Sequence, residues 1–403
     1  MSRKGGASMV RIEQLMTWRR HLHREPELSF QEIRTTSYII EQLQGLPGVQ
    51  LRSGIDQIGV HTGVLAIVGN GNGPIVGLRA DIDALPITEN TGASYQSCNS
   101  GIMHACGHDG HTAMLLGAVH TLSSLYQLGT LRGTVKCLFQ PAEESEDAQG
   151  KTGAQYVLEK GVLDDVEAIL ALHLDPELSL GKIKLQSGPV MANVNTFQLT
   201  ILGTGGHGAY PEQTVDPIWL TSVVLPYLYS LPSRKLAAHE PSVLSICQIS
   251  GGASTNVIPS DVMLRGTIRT YSEEARIKLV EELKRGLQII IQLGGSYDLH
   301  VHQGEPALLN DPELTQMIEE LIKEMEPNCT VIQQSFGMGG EDFSHFTRKI
   351  PGAMLFLGAQ AESKTSLHQP TFNFDERAME LGMRILVDGA LRMIRRRRNP
   401  NGS

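Results

Sequence analysis

Apolar positions recur at helical spacing from the first turn of the chain. In "RIEQLMTWRRHLHRE", Ile12, Leu15, Met16 and Leu22 fall near one face, which predicts a helix that stops at Pro26. "FQEIRTTSYIIEQL" predicts a second helix running to Gly45. The pattern then shortens to four runs, "GVLAIVG", "IVGLRAD", "GTVKCLFQP" and "EAILALHL". Each is aliphatic or β-branched and bounded by glycine or polar turns, as a buried strand of an α/β sheet would be. Helical patterns lie between them, "HTAMLLGAVHTLSSLY" and "TGAQYVLEKGVL". Strands alternating with helices predict an α/β sandwich.

Near residue 191 the texture changes. "NTFQLTILGTG" alternates as a half-buried strand, and "DPIWLTSVVLPYLYSL" follows as a helix. Two strands come next, "SVLSICQISGG" and "DVMLRGTIRTY", joined by a turn carrying Pro259, Ser260 and Asp261. An amphipathic helix opens at Ser272, a side chain suited to cap it, and "YDLHVHQG" closes the set. The order βαββαβ is that of a ferredoxin-like unit. After Pro306 the α/β pattern resumes. The expected organisation is a mixed-sheet α/β domain made of residues 1–190 and 305–403, with residues 191–304 inserted into it. A length of 403 residues is also more than one core usually needs.

Charge and cysteine content narrow the classes. A formal net charge of −9 argues against nucleic acid or an anionic membrane as partner, because a phosphate-binding surface needs a basic patch. The one basic run, Arg395 to Arg398, reads as a solvated, frayed tail. Five scattered cysteines, an N-terminal stretch with no apolar core of signal-peptide length, and no run approaching a membrane span predict a reduced, cytoplasmic protein without disulfides.

The chemistry lies where strands end. "IVGLRADIDALP" delivers Asp81 and Asp83, "GTVKCLFQPAEE" delivers Glu143 and Glu144, and "AILALHLDP" delivers His173. Ligands gather beyond the carboxyl ends of strands in open α/β sheets. Unpaired carboxylates are costly to bury, so such groups are usually paired or bound to metal. With Cys106 and His108 of "MHACGHDGHT" and the late His368, there are donors for two divalent cations. Each residue has a plainer reading: a histidine after an apolar strand is ordinarily a hydrogen-bonded core residue, and "EE" after proline is ordinarily solvated. A Cys106–His108 nucleophile pair is the local rival to metal. Surrounding carboxylates would raise that thiol's pKa unless a cation compensates, which favours the metal reading. Glu143 and Glu144, as neighbours on an extended segment, are expected to face different sides.

Taken in order, "RADIDALP", "MHACGHDGHT", "FQPAEE", "GGHGAYP", "TNVIPSD", "GTIRTY", "GGEDFSHF" and "LHQPTFNFDE" resemble the dinuclear metal-dependent amidohydrolases. That family includes hippurate hydrolases, N-acyl-amino-acid amidohydrolases and plant auxin-conjugate hydrolases, and is related to aminoacylase and glutamate carboxypeptidase. The resemblance extends from "HREPELSFQE" onward. It implies a metal pair bridged by the Cys106 thiolate, with His108 and Glu144 on one ion and His173 and His368 on the other. Zn2+ and Mn2+ both suit the donors, and Co2+ or Ni2+ also fit. Glu143 would be the general base and His207 the stabiliser of the oxyanion, reaching the site from a partner subunit. Asn256, Arg269, Gly339 and Gly340 would bind the substrate's free carboxylate, and Asp81 would orient the ligands. His104 looks supportive, while Asp109 and His111 have no ligand role.

The resemblance therefore implies hydrolysis of the amide of a small N-acyl or N-aroyl amino acid by a homodimer or homotetramer associated through the inserted lid domain. A carboxypeptidase or dipeptidase with the same site is the alternative. A metal-binding protein without activity has no use for Glu143. A cysteine-nucleophile amidase would be blocked by alkylation and indifferent to chelators. The chain departs from the family pattern in two places: "SEDAQGKTGAQYVLEKG" follows "PAEE" where relatives have a glycine turn, and Asp175 stands close to His173.

Overall fold

A computed structural model describes residues 9–398, folded as two compact units. The larger comprises residues 9–188, 309–335 and 345–398; the smaller comprises 189–308 together with 336–344. The smaller unit thus takes in a short late segment that the hydrophobic pattern assigns to the larger one.

The larger unit is built on an eight-stranded mixed sheet. Its order is Val49–Arg52, Val64–Val68, Thr134–Gln140, Ile75–Asp81, Ala168–Asp175, Gly352–Gly358, Lys182–Lys184 and Thr330–Ile332. The four central strands run parallel to one another, with Asp81 opposite Gln140 and Arg79 opposite Ala171. Their residues are almost all buried, which explains continuous apolar runs in place of alternation. The helix His108–Gln127 is buried around most of its circumference, and helices Ile12–Arg24 and Ala378–Arg398 pack against it. This register brings the C-terminal ends of Ile75–Asp81, Thr134–Gln140 and Ala168–Asp175 to one edge of the sheet, beside the start of the buried helix.

The smaller unit is a four-stranded antiparallel sheet in the order Ser242–Ser250, Asp261–Thr270, Asn193–Leu202, Ser296–Gln303. Helices Pro217–Lys235 and Glu273–Gly286 cover one face through Leu220, Val224, Leu228, Leu279 and Leu283. Ser272 caps the second helix by accepting from the Ala275 N–H at 3.2 Å. The chain is therefore α/β with a large mixed sheet and a βαββαβ insertion. A short ribbon absent from the sequence pattern pairs Gly206–His207 with Val257–Ile258.

The C-terminal arginines are not a frayed tail. They form the last turn of the helix Ala378–Arg398, where Arg396 pairs with Glu313 at 3.3 Å and Arg397 donates to the Glu167 carbonyl at 2.9 Å. The side chain of Arg398 lies outside the described residues. Among the described residues, no helix is long and apolar enough to cross a membrane, and all five cysteines are free.

Candidate metal centre

Gly107 separates Cys106 from His108 and has φ 100°, a left-handed conformation that glycine adopts without strain. It turns the chain directly into the helix His108–Gln127 and delivers both side chains to the sheet edge. The imidazole of His108 has its Nδ1 2.9 Å from the Asp83 carbonyl. A carbonyl only accepts, so Nδ1 carries a proton and Nε2 is the nitrogen left to act as a ligand once a cation displaces any proton there. That Nε2 is buried and has no hydrogen-bond partner. His173 repeats the device: Nδ1 donates to the Leu174 carbonyl at 2.8 Å, and Nε2 faces the Cys106 sulfur at 3.4 Å.

Carboxylates close the cluster. Glu144 Oε1, also buried and without a hydrogen-bond partner, lies 3.7 Å from His108 Nε2 and 3.5 Å from His368 Nε2. Glu143 Oε2 is 3.9 Å from the same His108 nitrogen. The potential ligand atoms fall into overlapping triads: Cys106–His108–His173, Cys106–Glu144–His368 and His108–Glu143–Glu144. Cys106 is common to the first two. The first two triads group His108 with His173 and Glu144 with His368, a different division from the one the resemblance implies; the third keeps His108 with Glu144. Glu143 and Glu144 do not sit on an extended segment, because Ala142 bends it with φ 53°.

The electrostatics call for added positive charge. Burial disfavours a charged His108 ring, yet Asp81, Asp83 and Glu144 outweigh it and push the pKa up to about 10. Burial drives the Cys106 thiol well above its usual range, and Glu144, Glu143 and Asp81 push the same way. Four carboxylates thus surround one imidazole and a thiol that their own field keeps neutral. Orphaned nitrogen and oxygen atoms aimed at one another, in a set of thiol, imidazole and carboxylate, suit divalent cations, which would satisfy the lone pairs and favour the thiolate.

The surrounding groups hold these donors in place. Asp81 accepts from His111 Nδ1 at 2.6 Å and from Arg79 at 2.7 Å. His111 Nε2 accepts the Leu174 N–H at 2.9 Å, so its proton lies on Nδ1. Burial holds the His111 pKa below the usual value, which keeps that neutral form. Asp83, named with Asp81 at the strand end but given no role of its own, accepts through Oδ2 from Glu144 N–H at 3.0 Å and from Ser29 at 2.7 Å. Asp109 is likewise a fixture: its Oδ2 accepts from Arg19 and from His23, each at 2.8 Å. His104, expected to be supportive, makes no hydrogen bond through either ring nitrogen, and burial lowers its pKa to about 4. Asp175 does not add free charge beside His173. It pairs with Lys184 at 2.8 Å and caps the following turn through Glu177 N–H.

In the smaller unit, His207 is exposed on the Gly206–His207 strand, where its Nδ1 accepts from Ala209 N–H at 3.0 Å. Asn256 is its near neighbour, accepting Gly208 N–H at the backbone and Ser254 Oγ at the side chain. Arg269 and Gly340 form a second group, with an ideal Cβ on Gly340 only 3.5 Å from Arg269 Nη1. Gly339 adjoins them and accepts from Ala192 N–H through its carbonyl.

Comparison with known proteins agrees with this chemistry. Residues 77–392 match the family model described as peptidase family M20/M25/M40. The chain is 38% identical over 387 residues to an N-acetyl-L-cysteine deacetylase of Bacillus subtilis, covering 95% of this chain and 88% of that one. It is 35% identical to thermostable carboxypeptidase 1 of Saccharolobus solfataricus, covering 90% and 91% respectively. In three dimensions it resembles the Bacillus subtilis YXEP protein, described as a dinuclear metal binding peptidase. That match has a TM-score of 0.81 and 33% identity, and covers 95% of this chain and 98% of the other.

Proposed function

The chain belongs to peptidase family M20/M25/M40, a family of hydrolases with amidohydrolase and peptidase members, and on that premise we propose that it cleaves the amide bond of N-acyl or N-aroyl amino acids. The observation that carries the reading is the convergence of Cys106, His108, Glu144, His173 and His368, with two buried donor atoms left orphaned and a further carboxylate, Glu143, beside them. The five residues would hold two divalent cations, zinc or manganese, with cobalt and nickel also compatible. When bound, such a pair supplies a water of lowered pKa and a Lewis acid for the carbonyl oxygen. Glu143 takes the proton from the attacking water and returns it to the leaving amine, a role that contributes about 10²–10⁴-fold. The neutral thiol of Cys106, buried among carboxylates, is unsuited to be a nucleophile and suited to be a ligand.

In this reading His207 donates to the oxyanion, and Asn256, Arg269 and the Gly339–Gly340 backbone bind the free carboxylate. Arginine suits that role because its fork matches a carboxylate bidentately. The smaller unit acts as lid and as the surface of a homodimer or homotetramer. Exposed Ile218, Trp219, Val223 and Tyr229 on one helix support this, as does the open edge of Ser242–Ser250. Five free cysteines support a reducing, cytoplasmic setting. Removal of a C-terminal residue from short peptides is the second reading, favoured by the similarity to a carboxypeptidase.

The deciding experiment is a metal-reconstituted screen of N-acetyl, N-benzoyl and dipeptide substrates, with Glu143→Gln as control. Turnover should vanish with EDTA, return with Mn2+, Co2+ or Zn2+, and fall about 10²–10⁴-fold in the variant while metal stays bound. Turnover that survives chelation but not alkylation would replace this reading with a cysteine-nucleophile amidase.

A further inference from the structure

The motif "PELSFQE" at residues 26–32 takes no part in the chemistry above, yet its Ser29 and Glu32 hydrogen-bond to Asp83 and to the backbone of Ala142. Glu32 is completely buried and accepts three hydrogen bonds. Its Oε1 accepts from Phe30 N–H at 3.0 Å and from Ala142 N–H at 2.8 Å, and its Oε2 accepts from Thr62 Oγ1 at 2.7 Å. Ala142 immediately precedes Glu143. Phe30 and Ala142 have φ of 65° and 53°; the third non-glycine residue with positive φ among those described is His368. The left-handed conformation costs an L-residue about 1–2 kcal/mol and persists where surroundings over-determine it. Two residues further on, Glu144 N–H donates to Asp83 Oδ2, and Ser29 Oγ donates to that same oxygen. The Ala142 carbonyl accepts Gly153 N–H at 2.9 Å.

Resting on the reading of Glu143 as base and Glu144 as ligand, we propose that Glu32 and Asp83 are positioning residues that clamp the backbone N–H groups of Ala142 and Glu144 and so aim both glutamates. The alternative conformation for residue 142 is the right-handed or extended backbone that an alanine prefers. Either would rotate the following peptide and carry Glu143 away from His108. Glu32 holds the left-handed form by offering Ala142 N–H a buried acceptor that water cannot replace. Asp83 couples the same segment to His108, whose Nδ1 donates to the Asp83 backbone carbonyl. A segment without regular hydrogen bonding is thereby fixed at two successive alternate amides.

The geometry distinguishes a good replacement from a bad one. In Glu32→Gln, Oε1 still accepts both N–H groups, and the new amide donates to the Thr62 hydroxyl, which can turn to accept. In Glu32→Met the volume is similar but both N–H groups lose their acceptor. With the full chain reconstituted with Co2+, Glu32→Met should lower kcat about 10–100-fold and weaken Co2+ binding, read from its absorption spectrum, about tenfold. KM should stay within about threefold, and Glu32→Gln should recover both losses to within about threefold of the parent. The clamp is overturned if folded Glu32→Met matches the parent in Co2+ affinity and kcat, or if Glu32→Gln is as impaired as Glu32→Met.

Amide hydrogen exchange on the unaltered chain tests the same idea without relying on a variant that folds. The Ala142 and Glu144 amides should exchange on the order of a hundredfold or more slower than in a free peptide. Free-peptide rates at both would sink the proposal. If the parent hydrolyses no N-acyl or peptide substrate, the proposed function fails, whereas Co2+ affinity and amide exchange still decide the clamp.

Discussion

Arg19 offers the sharpest test of how the fold supports the site. It is fully buried, with Nε donating to Asp109 at 2.8 Å, Nη1 to Glu376 at 3.3 Å and Nη2 to Asn373 at 3.2 Å. Its guanidinium lies over the rings of Tyr95 and Phe374, 4.7 and 4.5 Å from their centroids. The first helix is thereby tied to the residue after His108 and to the segment that follows His368. Arg19→Met preserves length and apolar volume but leaves Asp109 buried with only His23 and the Gly110 N–H. Glu376 is less exposed to the loss, because Arg20 also pairs with it at 2.6 Å. The largest cost is thus one buried carboxylate stripped of its guanidinium partner, about 3–5 kcal/mol.

Guanidinium unfolding followed by tryptophan fluorescence reads this directly. Trp18 is 2% exposed on the same helix, and the second tryptophan, Trp219, is half-exposed in the smaller unit and removable as Trp219→Phe. The cycle with Asp109→Leu should show a coupling of about 2 kcal/mol or more, the double variant being far less damaged than the sum. Arg19→Lys should not rescue, since a point charge cannot serve three divergent acceptors. A loss below about 1 kcal/mol for Arg19→Met, or strict additivity in the cycle, would refute the reasoning.

Three further outcomes are expected. Cys106→Ser should weaken divalent-cation affinity about 10-fold or more by isothermal titration, because a hydroxyl is a poor substitute for thiolate; unchanged affinity would remove Cys106 from the ligand set. Gly153→Ala places a Cβ 1.8 Å from the Pro141 carbonyl oxygen, a backbone atom that cannot swing aside. It should cost about 1–3 kcal/mol of stability and lower kcat by disturbing the Ala142 segment, and an unperturbed melting curve would contradict it. His104 has a folded pKa near 4 against an ordinary 6.5, so between those values the unfolded chain binds a proton that the folded chain refuses. Stability is therefore intact above pH 6.5 and declines as pH falls toward 4, by about 3 kcal/mol for this residue alone. In metal-free protein, the gap between parent and His104→Leu should shift in favour of the variant on acidification; a pH-independent gap would exclude the assignment.

Much of the architecture was legible in the chain itself. Runs such as "AILALHL" and "IVGLRAD" announce buried parallel strands because both their faces are apolar, and the switch to alternation near residue 191 marks the antiparallel insertion. The candidate ligands were legible too, as carboxylates and an imidazole that follow strands and a thiol and an imidazole that open the buried helix, groups costly to bury unpaired. The resemblance added roles to them. The short strands Lys182–Lys184 and Thr330–Ile332 toward one side of the sheet were not legible, because three residues carry no periodicity and their pairing partners lie far along the chain. Nor was the capture of residues 336–344 by the smaller unit.

What only the tertiary structure decided is which groups restrain the donors. Glu32 reads as an ordinary residue near the start of a helix, and Asp83 as the second acid of a pair. Their importance comes from N–H groups at Ala142 and Glu144, 110 and 61 positions away in sequence. Arg19 and Asp109 are likewise 90 residues apart and meet inside the core. Composition and periodicity report what each residue can do and which face it occupies. Which buried acceptor meets which donor is set by strand register and helix packing, and those exist only once the chain has folded.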